Sequence, residues 1–377
     1  MLYLDSAATT PVRPEVLEAM LPFLTDRFGN PSSHHTVGEQ AAAALDDARR
    51  RVATVLGFRP GDVVFTSGGT EADNLAIKGI AVAALVNDAK RHVVTTPIEH
   101  ESILASVDYL QRVHGFDVTL VPVDGDGLVD PAEVAASVRD DTALISIGYA
   151  NNEVGTVQDA AGLAAVAHEH RVPLHLDAVQ AAGWLPLSGL GADALSIAGH
   201  KLGAPQGTGA LAVRGRVPVE PLLHGGGQER GRRSGTENVA GAVALATALE
   251  LAEREREADG ARIGALRDAF IGGVLAAVPA ARLTGHPVRR LPGTASFTFA
   301  GTSGEAVLLE LERRGVVSSS GSACAAGSDE PSHVLLAMGI EPEVAQTAVR
   351  FTFGHGADVP PEALAAAVAA SVAAVGG

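Results

Sequence analysis

A chain of 377 residues, 46% of them hydrophobic, is too long for one small core, and two domains are the expectation. Its formal charge of −16 argues against general affinity for nucleic acid or anionic membranes, and no uninterrupted apolar run reaches the about 20 residues of a membrane span. A single cysteine excludes an internal disulfide, and a thiolate-held metal would need partner chains; the reducing cytoplasm is the expected compartment.

The opening MLYLDSAATT has neither the basic start nor the apolar run of a leader peptide. From residue 15 to 250, apolar helical segments alternate with short strand-like runs, the pattern of an α/β fold. EQAAAALDDARRRVATVLG (39–57) has helical spacing and stops at Gly57, a natural C-cap, and DVVFTS (62–67) follows as a strand. HVVTT, DVTLVPV, ALISIGYA, PLHLDA, ALSIAG and GALAVR continue the series. Six or seven such strands with helices between them predict a mostly parallel, covered sheet, whose ligands gather beyond the carboxyl ends of the strands. Residues 237–280 read as one long helix, charged in its middle, that bridges two domains. TASFTFA, AVRFTFG, a cysteine loop and an alanine-rich closing helix then read as a smaller α+β domain. The expected division is a large cofactor-binding domain over 13–255, and a small domain made of 1–12 with 256–377 that carries the loop at about 318–331.

Several polar residues fall just after these strands. In TSGGTEADN (66–74) a strand breaks at Gly68 and Gly69 and a helix begins, with Thr70 placed to cap it. Free amides, a hydroxyl and the helix dipole also suit a phosphate there, although the stretch has no P-loop lysine and no spaced Rossmann glycines. His100 of IEHESIL follows the next strand, where an imidazole stacks on a flat ring and moves protons near neutral pH. Asn151 and Asn152 of YANNEVG are either turn residues or partners for a phenolic oxygen or a carboxylate. Asp177 ends PLHLDAVQ, either capping a helix or keeping a pyridine nitrogen protonated. Lys201 follows ALSIAG and precedes the glycine-rich LGAPQGTGA; it is either a solvated charge or, withdrawn from water, an amine that forms a Schiff base with an aldehyde. A lysine, an aspartate and a phosphate cradle at the ends of one sheet would together flank pyridoxal 5'-phosphate. Arg350 of TAVRFTFG lies opposite Val349, Phe351 and Phe353 on an alternating strand, either solvated or clamping an amino-acid carboxylate. Finally, SSSGSACAAGSDEP (318–331) sets Cys324 among small and turn-forming residues, which reads as a mobile surface loop and not as core.

The ordered set YLDSAATTPV, FGNPSSHH, TSGGTEADNLAIKG, EHESIL, NNEVGTVQ, HLDAVQAAG, GHK, HGGGQERGRRSGTEN, SSGSAC, EPSHVLLAMG and VRFTFG resembles the cysteine desulfurases of pyridoxal-phosphate fold-type I, within the class V aminotransferase family. The likeness is to the iron-sulfur-cluster and nitrogen-fixation subgroup and runs nearly end to end. It implies a large domain with a seven-stranded sheet and a smaller α+β domain. It also implies that Lys201 holds the cofactor, Asp177 pairs with the ring nitrogen, Gln180 and Asn152 hold the phenolic oxygen, and His100 stacks on the ring. Gly69, Thr70 and His200 would bind the phosphate, with Thr236 reaching in from the second subunit of a homodimer. Arg350 and Asn152 would grip the carboxylate of L-cysteine, and Cys324 would carry sulfur as a persulfide to an acceptor, either an iron-sulfur scaffold or a thiolation enzyme. No metal, membrane or direct nucleic-acid contact is implied. Ala198 stands where the family pattern has serine, and losing one neutral hydrogen bond to phosphate costs about 0.5–1.5 kcal/mol. Selenocysteine lyases and aminotransferases share the scaffold, and a redox-sensing or metal-sharing thiol protein is the reading outside enzymes.

Overall fold

The computed structural model describes residues 1–321 and 330–376. Among these are twelve strands: β1 (Leu2–Tyr3), β2 (Val63–Thr66), β3 (His92–Thr95), β4 (Asp117–Leu120), β5 (Thr142–Gly148), β6 (Leu174–Asp177), β7 (Ala194–Ala198), β8 (Gly209–Val213), β9 (Ala281–Leu283), β10 (Thr294–Phe299), β11 (Val316–Val317) and β12 (Val349–Thr352). Seven form one sheet in the order β2-β8-β7-β6-β5-β3-β4. Only β8 runs against the others, pairing antiparallel with both β2 and β7. The reason is the connection. Parallel neighbours need a crossover of a dozen or more residues, usually a helix, whereas residues 199–208 join β7 to β8 by a short turn containing Lys201. At the far end of that turn, a Cβ on Gly209 would stand 2.6 Å from the Gly68 backbone, so β8 presses against the turn that follows β2 only because residue 209 is glycine.

The helix foreseen over 39–57 spans Thr36–Leu56 and ends at Gly57, whose φ of 71° gives the left-handed C-cap. The long helix is Val239–Ala277, and its two halves face different cores. Ala242, Leu245, Leu249 and Ala252 pack beneath the large sheet. Ile263, Phe270 and Val274 instead join Phe297, Phe299, Phe351 and Phe353 on the three-stranded sheet β12-β10-β9. Phe270 meets Phe297, Phe351 and Phe353 edge-on at 5.1–5.9 Å between centroids, contacts worth roughly 0.5–1.5 kcal/mol each beyond area burial. Between the halves, Glu255 takes both guanidinium nitrogens of Arg13 at 2.7 Å, and Asp259 binds Arg262 and His355, so each carboxylate of this cluster has an arginine partner.

The N-terminus crosses between the two cores. Leu4 is fully buried in the smaller one, and β1 pairs in parallel with β11. Two-residue strands such as these carry no periodicity, and sequence patterning does not find them. The segment 224–238 is pinned from below by a buried ion pair. Arg49 binds both oxygens of Glu229 at 2.6 and 2.9 Å, and the Phe65 amide donates to the same carboxylate at 3.2 Å. Glu229 and Arg230 sit at φ 47° and 59°, a left-handed conformation that costs roughly 1–3 kcal/mol per non-glycine residue. The Glu229 contacts offset that strain and hold the segment in place.

Candidate active site

The carboxyl ends of five sheet strands and one edge of β12 close around a cavity of about 800 Å³. From β2 and the helix after it come Gly69 and Thr70; from the segment after β3, Glu99 and His100; from the turn after β5, Asn151, Asn152 and Glu153. Asp177 and Gln180 follow β6, His200 and Lys201 follow β7, and Arg350 enters from the smaller sheet. Every residue given a candidate role above, save two, therefore lines one cavity. Two do not contribute to it here: Thr236 is exposed on the 224–238 segment, and Cys324 lies outside the described residues.

Local structure corrects two of the readings. The helix after β2 begins at Gly69 with Gly68 in the capping position and no side-chain cap, so Thr70 is inside its first turn and is not the cap. Asp177 caps no helix; its Oδ1 accepts the Val179 amide at 2.9 Å in a tight turn. His100 does cap a helix: its Nδ1 accepts the Ser102 amide at 3.1 Å at the start of helix Glu101–His114.

Lys201 is far from a solvated charge. Its Nζ donates to the carbonyls of Ala7 and Ala8 at 2.5 and 2.6 Å, and Gln180 Nε2 donates to the Ala7 carbonyl at 3.0 Å. His200 Nδ1 meets Thr9 Oγ1 at 3.2 Å, and burial, helped by the Lys201 charge, holds its imidazole neutral with a pKa of about 4. The AATT stretch is thus a backbone strap across the lysine turn, a role that no side-chain chemistry in it announces.

Arg350 is 2% exposed and is not solvated either. It gives Nη2 to Asp5 Oδ1 at 2.8 Å, and Nη1 to the carbonyls of Asn152 at 2.7 Å and Gly321 at 3.2 Å; its Nε has no partner. The link to Asn152 is through the backbone. A buried guanidinium tied to one carboxylate oxygen and two carbonyls retains capacity for a second carboxylate.

Sequence reasoning passed over the carboxyl groups of Asp73, Glu99 and Glu153, which are 1–5% exposed. The available signal was an acid inside otherwise apolar helix or strand-end patterning. Burial raises the Asp177 carboxyl above its ordinary value, and no side-chain cation is hydrogen-bonded to it. The donor set suits pyridoxal 5'-phosphate: an amine for the aldehyde, an acid that gains by facing a protonated ring nitrogen, and helix-start amides with Thr70 for the phosphate. A Cβ on Gly69 would stand 2.8 Å from Val179 Cγ2, so only glycine lets that helix start sit so close to the β6 turn.

With this geometry in hand, comparison with known proteins is decisive. Residues 2–359 match the aminotransferase class-V family. A cysteine desulfurase IscS from Methanosarcina thermophila is 46% identical over 356 residues, which cover 94% of this chain and 87% of that protein. The chain belongs to the cysteine desulfurases of that family. Among solved structures, a NifS-like protein superposes with a TM-score of 0.91 at 35% identity, covering 99% of this chain and all of the other. A structure of SspA in complex with cysteine gives 0.82 at 36% identity, with 94% and 99% covered. The pyridoxal-phosphate fold-type I architecture read from the sequence is the one this cysteine desulfurase has.

Glu99 in this desulfurase supplies a pH signature. Burial lifts its carboxyl to about 8, with the Asp177 charge adding, against hydrogen bonds from the Thr96 hydroxyl at 2.6 Å and the Gly148 amide at 2.7 Å. A carboxyl with a raised folded-state pKa contributes stability that is full below its ordinary value of 4.5 and is lost as pH rises through about 8. Glu99→Gln retains the Gly148 bond and lets the Thr96 hydroxyl turn to accept. Between pH 5 and 8 the cofactor-free wild type is therefore expected to lose on the order of 2–4 kcal/mol relative to this variant. Melting curves across that range check it, and a difference that does not change with pH contradicts it.

Proposed function

We infer that this chain breaks the carbon-sulfur bond of L-cysteine, releases L-alanine, and carries the sulfur on Cys324 as a persulfide for transfer to an acceptor protein. The observation that carries the reading is the placement of Lys201 and Asp177 at the ends of the adjacent strands β7 and β6, facing one cavity with Arg350 across it. Pyridoxal 5'-phosphate, when bound, supplies an electron sink for the α-carbanion of the substrate.

The chain's own residues do the rest. Lys201 would hold the cofactor aldehyde through Nζ, which the carbonyls of Ala7 and Ala8 bind here, and would move the α-proton of the substrate. Asp177, ionised by a neighbouring cation, holds the ring nitrogen protonated, while Gln180 and Asn152 hold the phenolic oxygen. Arg350 and Asn152 orient the substrate carboxylate, and His100 covers the ring face. The Cys324 thiolate attacks the substrate sulfur. The S–S bond forms as the S–Cβ bond breaks, the electron pair goes to Cβ, and that carbon takes a proton to become the alanine methyl.

A homodimer is part of this reading. Thr236 is exposed on a segment held from below by Arg49 and Glu229, where it is free to serve the phosphate of a second subunit. Leu17, Leu21, Leu24 and Phe28 are 51–73% exposed at roughly helical spacing, an apolar stripe suited to burial in such a dimer. The reading also places the protein in the cytoplasm, where Cys324 stays reduced. Its acceptors are proteins, either an iron-sulfur scaffold or a thiolation enzyme, and with a charge of −16 it makes no direct contact with nucleic acid or membrane. No helix among the described residues is long and apolar enough to cross a membrane.

The test is stoichiometry. Purified protein given L-cysteine and a thiol reductant, with no keto acid, is expected to form alanine and sulfide in equal amounts. Alanine formation only with a keto acid would establish transamination instead, and turnover of selenocysteine alone would establish a lyase.

A further inference from the structure

A chain of short hydrogen bonds leads from the cavity into its wall. His100 Nδ1 lies 2.7 Å from Ser102 Oγ, and the Ser102 hydroxyl lies 2.7 Å from Asp73 Oδ2. Ser102 and Asp73 are 6% and 1% exposed. Asp73 Oδ1 is buried without a hydrogen bond of good geometry, although the Ser196 hydroxyl lies close enough to act on it. The nearest nitrogen on that side, His175 Nε2, is 3.8 Å away. His175 is held between the hydroxyls of Ser146 and Ser196, and burial keeps it neutral. No cation therefore compensates Asp73.

Counting protons along this chain leaves two states. In one, Nδ1 is unprotonated and takes the Ser102 amide at 3.1 Å together with the Ser102 hydroxyl at 2.7 Å. The single hydroxyl proton of Ser102 is then spent. The 2.7 Å contact with Asp73 must be donated by a protonated Asp73, and the ring proton sits on Nε2. In the other state Nδ1 carries the proton and donates it to Ser102 Oγ, Ser102 donates to an ionised Asp73, and the Ser102 amide loses its acceptor.

We propose that Asp73, acting through Ser102, is a positioning residue that sets the tautomer of His100 and stores one proton for it. When His100 gives its Nε2 proton to a basic atom in the cavity, the Ser102 hydroxyl proton moves to Nδ1 and the Asp73 proton moves to Ser102 Oγ. The ring ends neutral with the opposite tautomer, Asp73 ends as a carboxylate, and one proton has left for the substrate. The return of one proton by the reverse path resets the chain. Burial, and then the Asp177 charge, raise the Asp73 carboxyl well above its ordinary value, which favours the filled store. The titratable groups facing the chain are Asp177 and His175 of β6, Glu99 after β3, Glu153 after β5 and Lys201 after β7. The catalytic use of this store rests on His100 standing beside the cofactor, as proposed above; the tautomer control does not.

The experiment is ¹⁵N NMR of the histidine rings in the full-length chain, with and without pyridoxal 5'-phosphate, His100 being assigned by His100→Gln. The wild type is expected to show the Nε2–H tautomer at neutral pH. Ser102→Ala and Asp73→Asn are each expected to mix the tautomers, with no further change in the double variant and with recovery in Ser102→Thr. In the loaded enzyme kcat falls about tenfold in both single variants while KM stays within about twofold. An unchanged ring in Ser102→Ala overturns the proposal, as does an Asp73→Asn effect that persists when Ser102 is already alanine. Should Asp73→Asn not fold, the Ser102 pair decides alone. Absence of alanine formation with the ring linkage intact would instead overturn the functional reading and leave the tautomer control standing.

Discussion

Lys201→Ala is expected to lower alanine formation from L-cysteine by at least about 10⁴-fold while the chain still folds and still takes up cofactor. The folded framework survives because the turn from β7 to β8 is held by contacts that do not involve the lysine. Thr10 N and Oγ1 bind the His200 carbonyl at 2.9 and 2.8 Å, and the Gly199 amide binds the Thr208 carbonyl at 2.9 Å. The chemistry does not survive, because among the described residues no other amine lines the cavity to hold the aldehyde and move the α-proton. Two measurements check this. Borohydride should fix pyridoxal to wild-type protein but leave it extractable from the variant after denaturation, and alanine should stay at background. Turnover near the wild-type rate in the variant would remove Lys201 from its assigned role.

The second large effect is expected from Cys324→Ser. The residue lies outside the described part of the structure, so the argument rests on chemistry and on the sequence. A serine hydroxyl cannot accept sulfur as a persulfide, and no second thiol exists in the chain to replace the first. The variant should bind cofactor and L-cysteine within about twofold of wild type, since Lys201, Asp177 and Arg350 are untouched, yet form alanine at least about 10³-fold more slowly. ³⁵S-labelled cysteine should leave label on wild-type protein under non-reducing conditions and none on the variant. Label on the variant, or full turnover, would require sulfur to leave by another route.

Much of the site was legible because it follows a local rule. Buried parallel strands are short apolar runs, and a polar residue directly after such a run stands at the carboxyl edge of the sheet. That logic reached His100, Asn152, Asp177 and Lys201 without any knowledge of what they face. It failed where a local pattern had two outcomes. Thr70 satisfied the sequence pattern of a cap, but the glycine pair started the helix two residues earlier.

Sequence alone determined the strand inventory of the large sheet, the glycine stop of the helix Thr36–Leu56, the single helix running from one core to the other, and the residue types at the strand ends. Each of these is written in spacing over a few residues, because burial of one face imposes a period on the chain. Only the tertiary structure decided that β8 runs antiparallel, that Ala7 and Ala8 strap Lys201, that Arg350 is held by Asp5 345 positions away, and that Asp73, Glu99 and Asp177 share one low-dielectric wall. Those are pairings between distant segments, and their energies depend on desolvation and on partners that no local pattern encodes.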